Sequence, residues 1–208
     1  MSSINNENKL EQFNEFFSID YQFSVNISGV VKNIPSFEQF IDTIPVPFKM
    51  ATEVSTIDQA ALRPLQNLSG VATQLVDFLN FQSQKIELLV GYILSQQDEP
   101  QHRFTGTKFG GGGIMFKSPT AFALNDILEM KVFLLHANCA VFCLGEVINI
   151  DQNDDEFTHQ VIFHYIRAED REILVRMSLH EQSKQLQNLA KKRHIEASTR
   201  AAGTNSDR

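Results

Sequence analysis

The sequence has no apolar run long enough to cross a membrane. No stretch approaches the ~18 consecutive apolar residues that a transmembrane helix needs. The first eleven residues are almost wholly polar and contain no signal-peptide core. These absences predict a cytoplasmic protein, and in that compartment the Asn-x-Ser sequences at Asn26 and Asn67 are not glycosylation sites.

Positive charge is also in short supply. With 18 Lys and Arg against 25 Asp and Glu, the net charge is −7. The one basic run, residues 191–193, falls at the end of a predicted helix, where cations favour the helix dipole. Neither feature is typical of a nucleic-acid interface, so we expect no nucleic-acid partner.

The chain has only two cysteines, Cys139 and Cys143. Both fall in a segment rich in strand-forming residues, where four residues span about 13 Å, whereas a disulfide needs Cα atoms within about 7 Å. No matching His or Cys pair accompanies them for zinc. The spacing predicts two unpaired, buried thiols and no metal site.

A heptad pattern runs between residues 65 and 93. Its apolar residues recur with the 3.5-residue period that winds helices around one another. The predicted oligomerisation residues are Leu65, Ala72, Leu79, Ile86 and Ile93 at a positions, and Leu68, Leu75, Gln82 and Leu89 at d positions. The pattern predicts a homo-oligomer. The single polar residue of the seam, Gln82, either fixes the register or marks where the seam faces solvent, and we favour the first interpretation.

Apolar residues at the flanking positions make this seam unusually broad. Val71, Phe78 and Tyr92 occupy g positions, and Val76 and Val90 occupy e positions, where a two-stranded coil usually carries charge. Such a helix belongs either to a trimer or tetramer of like helices, or lies partly on its own globular domain. A buried amphipathic helix in a monomer is the competing interpretation.

The remaining pattern predicts one short helix, a β domain and a closing helix. Residues 21–27 alternate like a half-buried strand, and residues 35–47 predict a helix with Ser36 as N-cap and prolines as its stop. Further strands are predicted at 104–109, 113–116, 127–135, 139–150 and 157–165, followed by a helix at 169–194. Short antiparallel strands at this spacing suggest a small barrel.

The β domain resembles the PilZ domain, a six-stranded barrel that reads cyclic di-GMP in many bacterial proteins. The resemblance lies in residues 110–116, 123–130, 145–147 and 163–174, with residues 16–20 similar to the family's opening segment. It implies an α+β fold with a six-stranded antiparallel barrel, a long heptad helix inserted after the first strand and a C-terminal helix. The implied divisions are disordered tails at 1–13 and 195–208, a barrel at 14–34 and 103–194, and a helical insert at 35–102.

The family's ligand motifs are degenerate in this chain. The resemblance implies an Arg-x-x-x-Arg pair at the positions of Asn14 and Ser18, neither of which carries a guanidinium. The family's second motif consists of an aspartate or asparagine, a serine and a final glycine. The matching positions in this chain are Lys108, Gly110 and Gly113, so that only the glycine is kept. We therefore expect no cofactor, with cyclic di-GMP binding weak or absent.

The same resemblance points to an atypical PilZ branch that lacks both motifs and forms tetramers through heptad helices. It implies a nonenzymatic, tetrameric rather than trimeric adaptor for a signalling or motility protein. An alternative is a cyclic di-GMP receptor with a displaced site at Lys108, Arg103 and Lys32. A third hypothesis is a hydrolase in an unrecognised β domain.

Enzyme motifs do not support that third hypothesis. No Gly-Lys-Ser/Thr follows the four glycines at 110–113, so they do not form a P-loop. We attribute that run to a tight bend whose residues tolerate positive φ. Lys184 stands where a zincin helix would need its second histidine after His180 and Glu181, and His159 and His164 lie five apart, on opposite strand faces.

Overall fold

The computed structural model describes residues 2–62, 71–134, 139–153 and 156–203. The helices within these ranges are α1 (Ser2–Glu15), α2 (Phe37–Thr43), α3 (Val46–Leu62), α4 (Val71–Ser95) and α5 (Ala168–Gly203). The strands are β1 (Ser18–Val30), β2 (Arg103–Gly110), β3 (Gly113–Ser118), β4 (Ile127–Leu134), β5 (Cys139–Asn153) and β6 (Glu156–Tyr165). A short 3-10 helix, Pro100–His102, leads into β2.

The six strands form a closed antiparallel barrel in the order β1-β2-β3-β6-β5-β4. The predicted fold class is confirmed: a six-stranded barrel, helices between β1 and β2, and a helix after β6. The predicted strands agree with the observed ones to within a few residues, apart from Leu135, which lies outside the described residues.

Alternate residues of each strand fill the barrel interior, as period-two patterning requires. Phe109, Ile114, Phe116 and Val161 are among its fully buried side chains. Both cysteines are free, and burial raises the pKa of Cys139 to about 12, so its thiol stays protonated.

One histidine belongs to this interior. His159 is fully buried and its ring stacks on Phe116 at 4.8 Å between centroids. Its Nε2 accepts a hydrogen bond of 3.1 Å from the backbone N–H of Phe122, so the neutral ring carries its proton on Nδ1. His164 is exposed on the other strand face, as its spacing predicts. Burial lowers the pKa of His159.

Lowering the pH from about 7.5 to about 5.5 should reduce the free energy of unfolding through His159. The unfolded imidazole takes up a proton near pH 6.5, whereas the folded ring, with its lowered pKa, stays neutral to lower pH. Because the unfolded state then binds more protons than the folded state, the free energy of unfolding decreases as the pH is lowered. Urea titrations of the wild type and His159→Phe at both pH values check this. The variant should lose part of the pH dependence, and an unchanged dependence would show that His159 does not cause it.

The N-terminal segment differs from the predicted disordered tail at 1–13, because helix α1 spans Ser2–Glu15. Phe13 is buried against Ile148 of β5 and Ile162 of β6. Lys9 Nζ lies 2.6 Å from Glu146 Oε1. The polar composition of this segment concealed the apolar contacts and the ion pair that hold the helix on the barrel.

The insert begins with α2, whose predicted cap is present. Ser36 Oγ accepts from the backbone N–H of Gln39, and Gln39 Oε1 accepts from the N–H of Ser36, which completes a capping box. The next helix, α3, follows after two residues. Helix α3 begins at Val46, because Pro47 falls in its first turn, where a missing N–H costs nothing.

Helices α3 and α4 form a hairpin whose base lies on the outer face of the barrel. Phe48 near the start of α3 and Leu94 near the end of α4 share one buried cluster with Phe133 and Phe142. Their other ends are separated in sequence by residues 63–70, which lie outside the described residues and include Leu65 and Leu68. Helix α4 is therefore anchored at one end and runs away from the barrel surface.

Side-chain hydrogen bonds secure the end of α4. Asn26, buried on β1, accepts from the backbone N–H of Glu99 at 2.7 Å and donates to Asp98 at 2.9 Å. The barrel strand and the segment after α4 are thus fixed to each other.

Helix α5 closes the molecule and is longer than predicted. It extends through Gly203, into the predicted tail at 195–208. Leu174 of its first half packs into the barrel core, and Gln185 donates to the backbone oxygen of Asp20 at 3.0 Å. None of the described helices is long and apolar enough to cross a membrane.

Candidate functional site

A line of apolar side chains on α4 is exposed in the part of the chain that the structure describes. Each exposes between 41 and 69% of its surface. The members, which we call the α4 stripe, are Leu75, Phe78, Phe81, Ile86, Leu88, Leu89, Tyr92 and Ile93. From its first to its last residue the stripe is about 27 Å long. A continuous exposed apolar surface of this kind marks an interaction site.

The predicted heptad residues divide between this stripe and positions beside it. Leu75, Ile86, Leu89 and Ile93 are exposed, whereas Leu79 and Gln82 are half-buried. Ala72 belongs to α4, but its side chain is not described, and Leu65 and Leu68 lie in the undescribed segment 63–70.

The flanking positions separate in a way that periodicity did not predict. The e-position residues Val76 and Val90 are half-buried, and Val90 packs against the cluster at the base of the hairpin. The g-position residue Tyr92 is 66% exposed. Phe81 and Leu88, at c positions, extend the stripe on the g side and were missed, although c and g adjoin on a helix.

A second region of interest contains the positions that match the degenerate ligand motifs. Asn14 is exposed near the end of α1, and Ser18, at the start of β1, lies opposite Gly110. Gly110 ends β2 and Gly113 begins β3. Lys108 Nζ lies 3.4 Å from Asp20 Oδ1. The structure brings Ser18, Lys108 and the glycines to one end of the β1–β2–β3 sheet.

The glycine bend, residues 110–113, packs closely against other parts of the chain. A Cβ on Gly112 would lie 2.8 Å from the carbonyl oxygen of Phe13, and one on Gly110 would meet the carbonyl oxygen of Phe17. The expected positive φ was wrong: among described glycines only Gly29 has one. Close backbone packing, rather than a left-handed conformation, requires these glycines.

Arg171 of α5 fastens the same bend. Its Nη1 donates to the carbonyl oxygen of Gly111 at 2.8 Å, and its guanidinium lies 5.2 Å from the ring centroid of Phe16. The sequence places Arg171 in the closing helix but does not predict its contact with Gly111, because the two residues are 60 positions apart in sequence.

The residues of the alternative displaced site do not come together. Arg103 and Lys108 lie near opposite ends of β2, about 16 Å apart at the usual strand rise. Arg103 is paired with Asp98 at 2.9 Å and Lys108 with Asp20. Lys32 is exposed after the end of β1. No group of three or more His, Cys, Asp or Glu that could hold a metal ion occurs among the described residues.

A buried ion pair joins the hairpin to the closing helix. The guanidinium of Arg167 donates to both oxygens of Asp170 at 2.8 Å. Asp170 is fully buried and also accepts from the hydroxyl of Thr52 on α3 at 2.6 Å. Arg167 further donates to that hydroxyl at 2.9 Å and to the backbone oxygen of Phe48 at 3.4 Å. This network sets where the hairpin, and therefore the α4 stripe, sits on the barrel.

Comparison with known proteins agrees with the barrel topology. Residues 81–180 match the PilZ domain. No curated protein matches the chain. The structure is similar to that of a pathogenic protein from Xanthomonas campestris, described as a tetrameric PilZ domain self-assembled through an unusual helical bundle. The two share 14% identity and a TM-score of 0.53, over 85% of this chain and 96% of that one.

A smaller region is similar to an inhibitor of motility from Bacillus subtilis. The identity is 16% and the TM-score 0.37, over 39% of this chain and 42% of that one. The likeness to the Xanthomonas protein shows a common fold.

Proposed function

We propose that this chain, whose residues 81–180 match the PilZ domain, is a PilZ-type tetrameric adaptor in cyclic di-GMP-type signalling that binds little or no cyclic di-GMP itself. PilZ domains are binding modules, and the chain is accordingly a binding protein rather than an enzyme. The single observation that carries the proposal is the α4 stripe, an apolar surface that stays exposed among the residues that the structure describes.

The stripe is wide enough to serve two neighbouring helices. At about 100° per residue, its a and d residues centre about 100° from its c and g residues around the helix. The a and d side of the stripe consists of Leu75, Ile86, Leu89 and Ile93. The c and g side consists of Phe78, Phe81, Leu88 and Tyr92. A helix in a four-membered square meets its neighbours about 90° apart, and in a triangle about 60° apart. The angle favours a tetramer over a trimer.

The Xanthomonas protein supports this arrangement, since it has the same fold and is described as a tetramer assembled through a helical bundle. Applied to this chain, four α4 helices would bury their stripes against one another. Four barrels would then face outward, so that a partner with several binding sites would gain avidity without any new contact. The family resemblance suggests a signalling or motility protein as that partner.

The absence of ligand binding is inferred from the closed glycine bend. Neither Asn14 nor Ser18 supplies a guanidinium, and the backbone oxygens of Phe13 and Phe17 pack directly against Gly112 and Gly110. Lys108, the one cation at these positions, already faces Asp20. A doubly charged dinucleotide would therefore find no bidentate donor there.

Calorimetric titration of the chain with cyclic di-GMP should give no saturable heat in the low micromolar range. The physical reason is that these positions supply no guanidinium for bidentate contacts to phosphate, and their one cation, Lys108, is paired with Asp20. Lys108→Ala serves as the matched variant. Saturable heat in the wild type that disappears in Lys108→Ala would contradict the proposal and favour the displaced receptor site.

Self-assembly is tested by the molar mass of the purified chain in solution. A tetramer of the 23.6 kDa chain has a mass of about 94 kDa.

A further inference from the structure

The outer face of the barrel has an apolar surface that is separate from the base of the α3–α4 hairpin. Helix α1 covers this surface. This surface, the α1 dock, consists of Met115 of β3, Glu146 and Ile148 of β5, Ile162 of β6 and the adjoining Gly112. We infer that the α1 dock binds an amphipathic helix of a partner protein, and that α1 occupies the dock in the free chain. The inference names the partner surface of the proposed adaptor and so rests on that function.

The apolar residues of the dock face away from the barrel core. Val147 and Val161 point inward, whereas Ile148 and Ile162 next to them belong to a separate cluster with Phe13. Ile148 sits at a register shift between β5 and β6, which adds one residue to β5. Two isoleucines on the outer face of a barrel require a cover, and α1 supplies it.

The glycine bend shapes one end of the dock. A Cβ on Gly112 would lie 2.8 Å from the carbonyl oxygen of Phe13, and one on Gly113 would lie 2.9 Å from the Phe13 ring. A larger residue at Gly112 would push the last turn of a docked helix away, and one at Gly113 would first meet the carbonyl oxygen of Val161 on β6. Gly112 therefore admits the backbone of a helix, whereas a Cβ on Gly110 would first meet Phe17 and one on Gly111 would first meet Val175.

The contacts of α1 specify the chemistry of a helix that fits. Leu10 and Phe13, three residues apart on one helix face, pack on the isoleucines and Met115. Lys9 pairs with Glu146 at 2.6 Å, and Glu146 lies directly opposite Ile162 in the strand register. The dock thus selects a helix with a basic residue, an aliphatic residue immediately after it, and an aromatic residue three positions further on.

Helix α1 can leave the dock without opening the barrel. The strands pair all the way around, so no ladder hydrogen bond depends on α1. Glu11, Gln12, Asn14 and Glu15 on its outer side are exposed. Among the described side chains of α1 only Lys9, Leu10 and Phe13 hold it on the barrel, and a helix held by a few side chains undocks at low cost. Because α1 is tethered, it competes at high effective concentration, and a partner helix binds weakly until α1 is displaced.

The experiment uses a fluorescent helical peptide of alanine and glutamine that carries only Lys, Leu and Phe at the spacing of Lys9, Leu10 and Phe13. Its anisotropy is followed while full-length wild type, or the variant Leu10→Ala with Phe13→Ala, is added. The variant, which has lost its own anchors, should bind the peptide roughly tenfold or more tightly than the wild type.

Charge reversal provides the matched control. Adding Glu146→Lys to the variant should weaken binding of the Lys peptide, and a peptide with Glu in place of Lys should regain it. A peptide with Ala in place of Phe should not bind. If the folded variant binds no peptide, or binds the Phe and Ala peptides equally, the inference is wrong.

Three further outcomes separate this inference from its rivals. If Leu10→Ala with Phe13→Ala lowers the molar mass of the assembly, α1 is exchanged between copies, and the partner helix is contradicted. If the mass stays that of the wild-type oligomer while peptide binding fails, only the dock inference is overturned and the proposed adaptor stands. A monomeric wild type that still binds the peptide would overturn the proposed assembly alone.

Discussion

The double variant Leu75→Asp with Leu89→Asp should be a folded monomer. Both side chains belong to the α4 stripe and are 60 and 65% exposed in the single chain. Aspartate costs little on a solvated helix face, but in a helical bundle it places unpaired charges in an apolar interface. Light scattering on a sizing column should therefore give about 23.6 kDa, with unchanged far-ultraviolet circular dichroism.

Leu124→Asp is the matched control for this variant. Leu124 is 49% exposed in the connection between β3 and β4, far from α4 in sequence. The same chemical change at that position should leave the oligomer intact. If the stripe variant keeps the mass of the wild-type oligomer, the stripe is not the interface. If Leu124→Asp also gives monomers, charge rather than the stripe explains the dissociation.

Asp170→Ala should lower the free energy of unfolding by roughly 3 to 5 kcal/mol. The change removes the partner of a largely buried guanidinium, because Arg167 is 12% exposed and Asp170 is fully buried. It also leaves the hydroxyl of Thr52 without its carboxylate acceptor. Urea denaturation followed by circular dichroism measures the loss.

Two further variants separate the buried charge from general sensitivity of α5. Arg167→Met with Asp170→Leu removes both charges, so most of the loss should be recovered, since a buried pair is replaced by apolar groups of similar volume. Glu172→Gln breaks a solvent-exposed pair with Arg176 whose atoms lie 3.9 Å apart, and it should have no measurable effect. If Asp170→Ala proves as mild as Glu172→Gln, the network does not hold the hairpin.

The barrel was predictable because its information is local. The alternation of apolar and polar residues in residues 21–27 and in the later strands indicates directly which side chains are buried. Ser36 indicates the start of a helix, because its capping box involves only residues up to three positions away. The class of the domain also followed from short motifs around the glycine bend. These features depend on neighbours in sequence, and the structure places them where the pattern indicated.

The rest depended on contacts between distant residues. Thr52 and Asp170 are 118 residues apart and Lys9 and Glu146 are 137 apart, so no window of sequence contains either pair. Helix α1 looked disordered because its polar composition hides one docked face. Heptad labelling treated e and g as equivalent, whereas the barrel and α3 take up Val90 on one side of α4 and leave Tyr92 to solvent on the other.

The most direct test of the central claim is the molar mass of the wild-type chain, measured by light scattering across a dilution series at micromolar concentrations. Covering the α4 stripe with three further copies predicts about 94 kDa, four times the 23.6 kDa of one chain. A mass of 23.6 kDa at tens of micromolar would show that the stripe remains uncovered, and it would contradict the account.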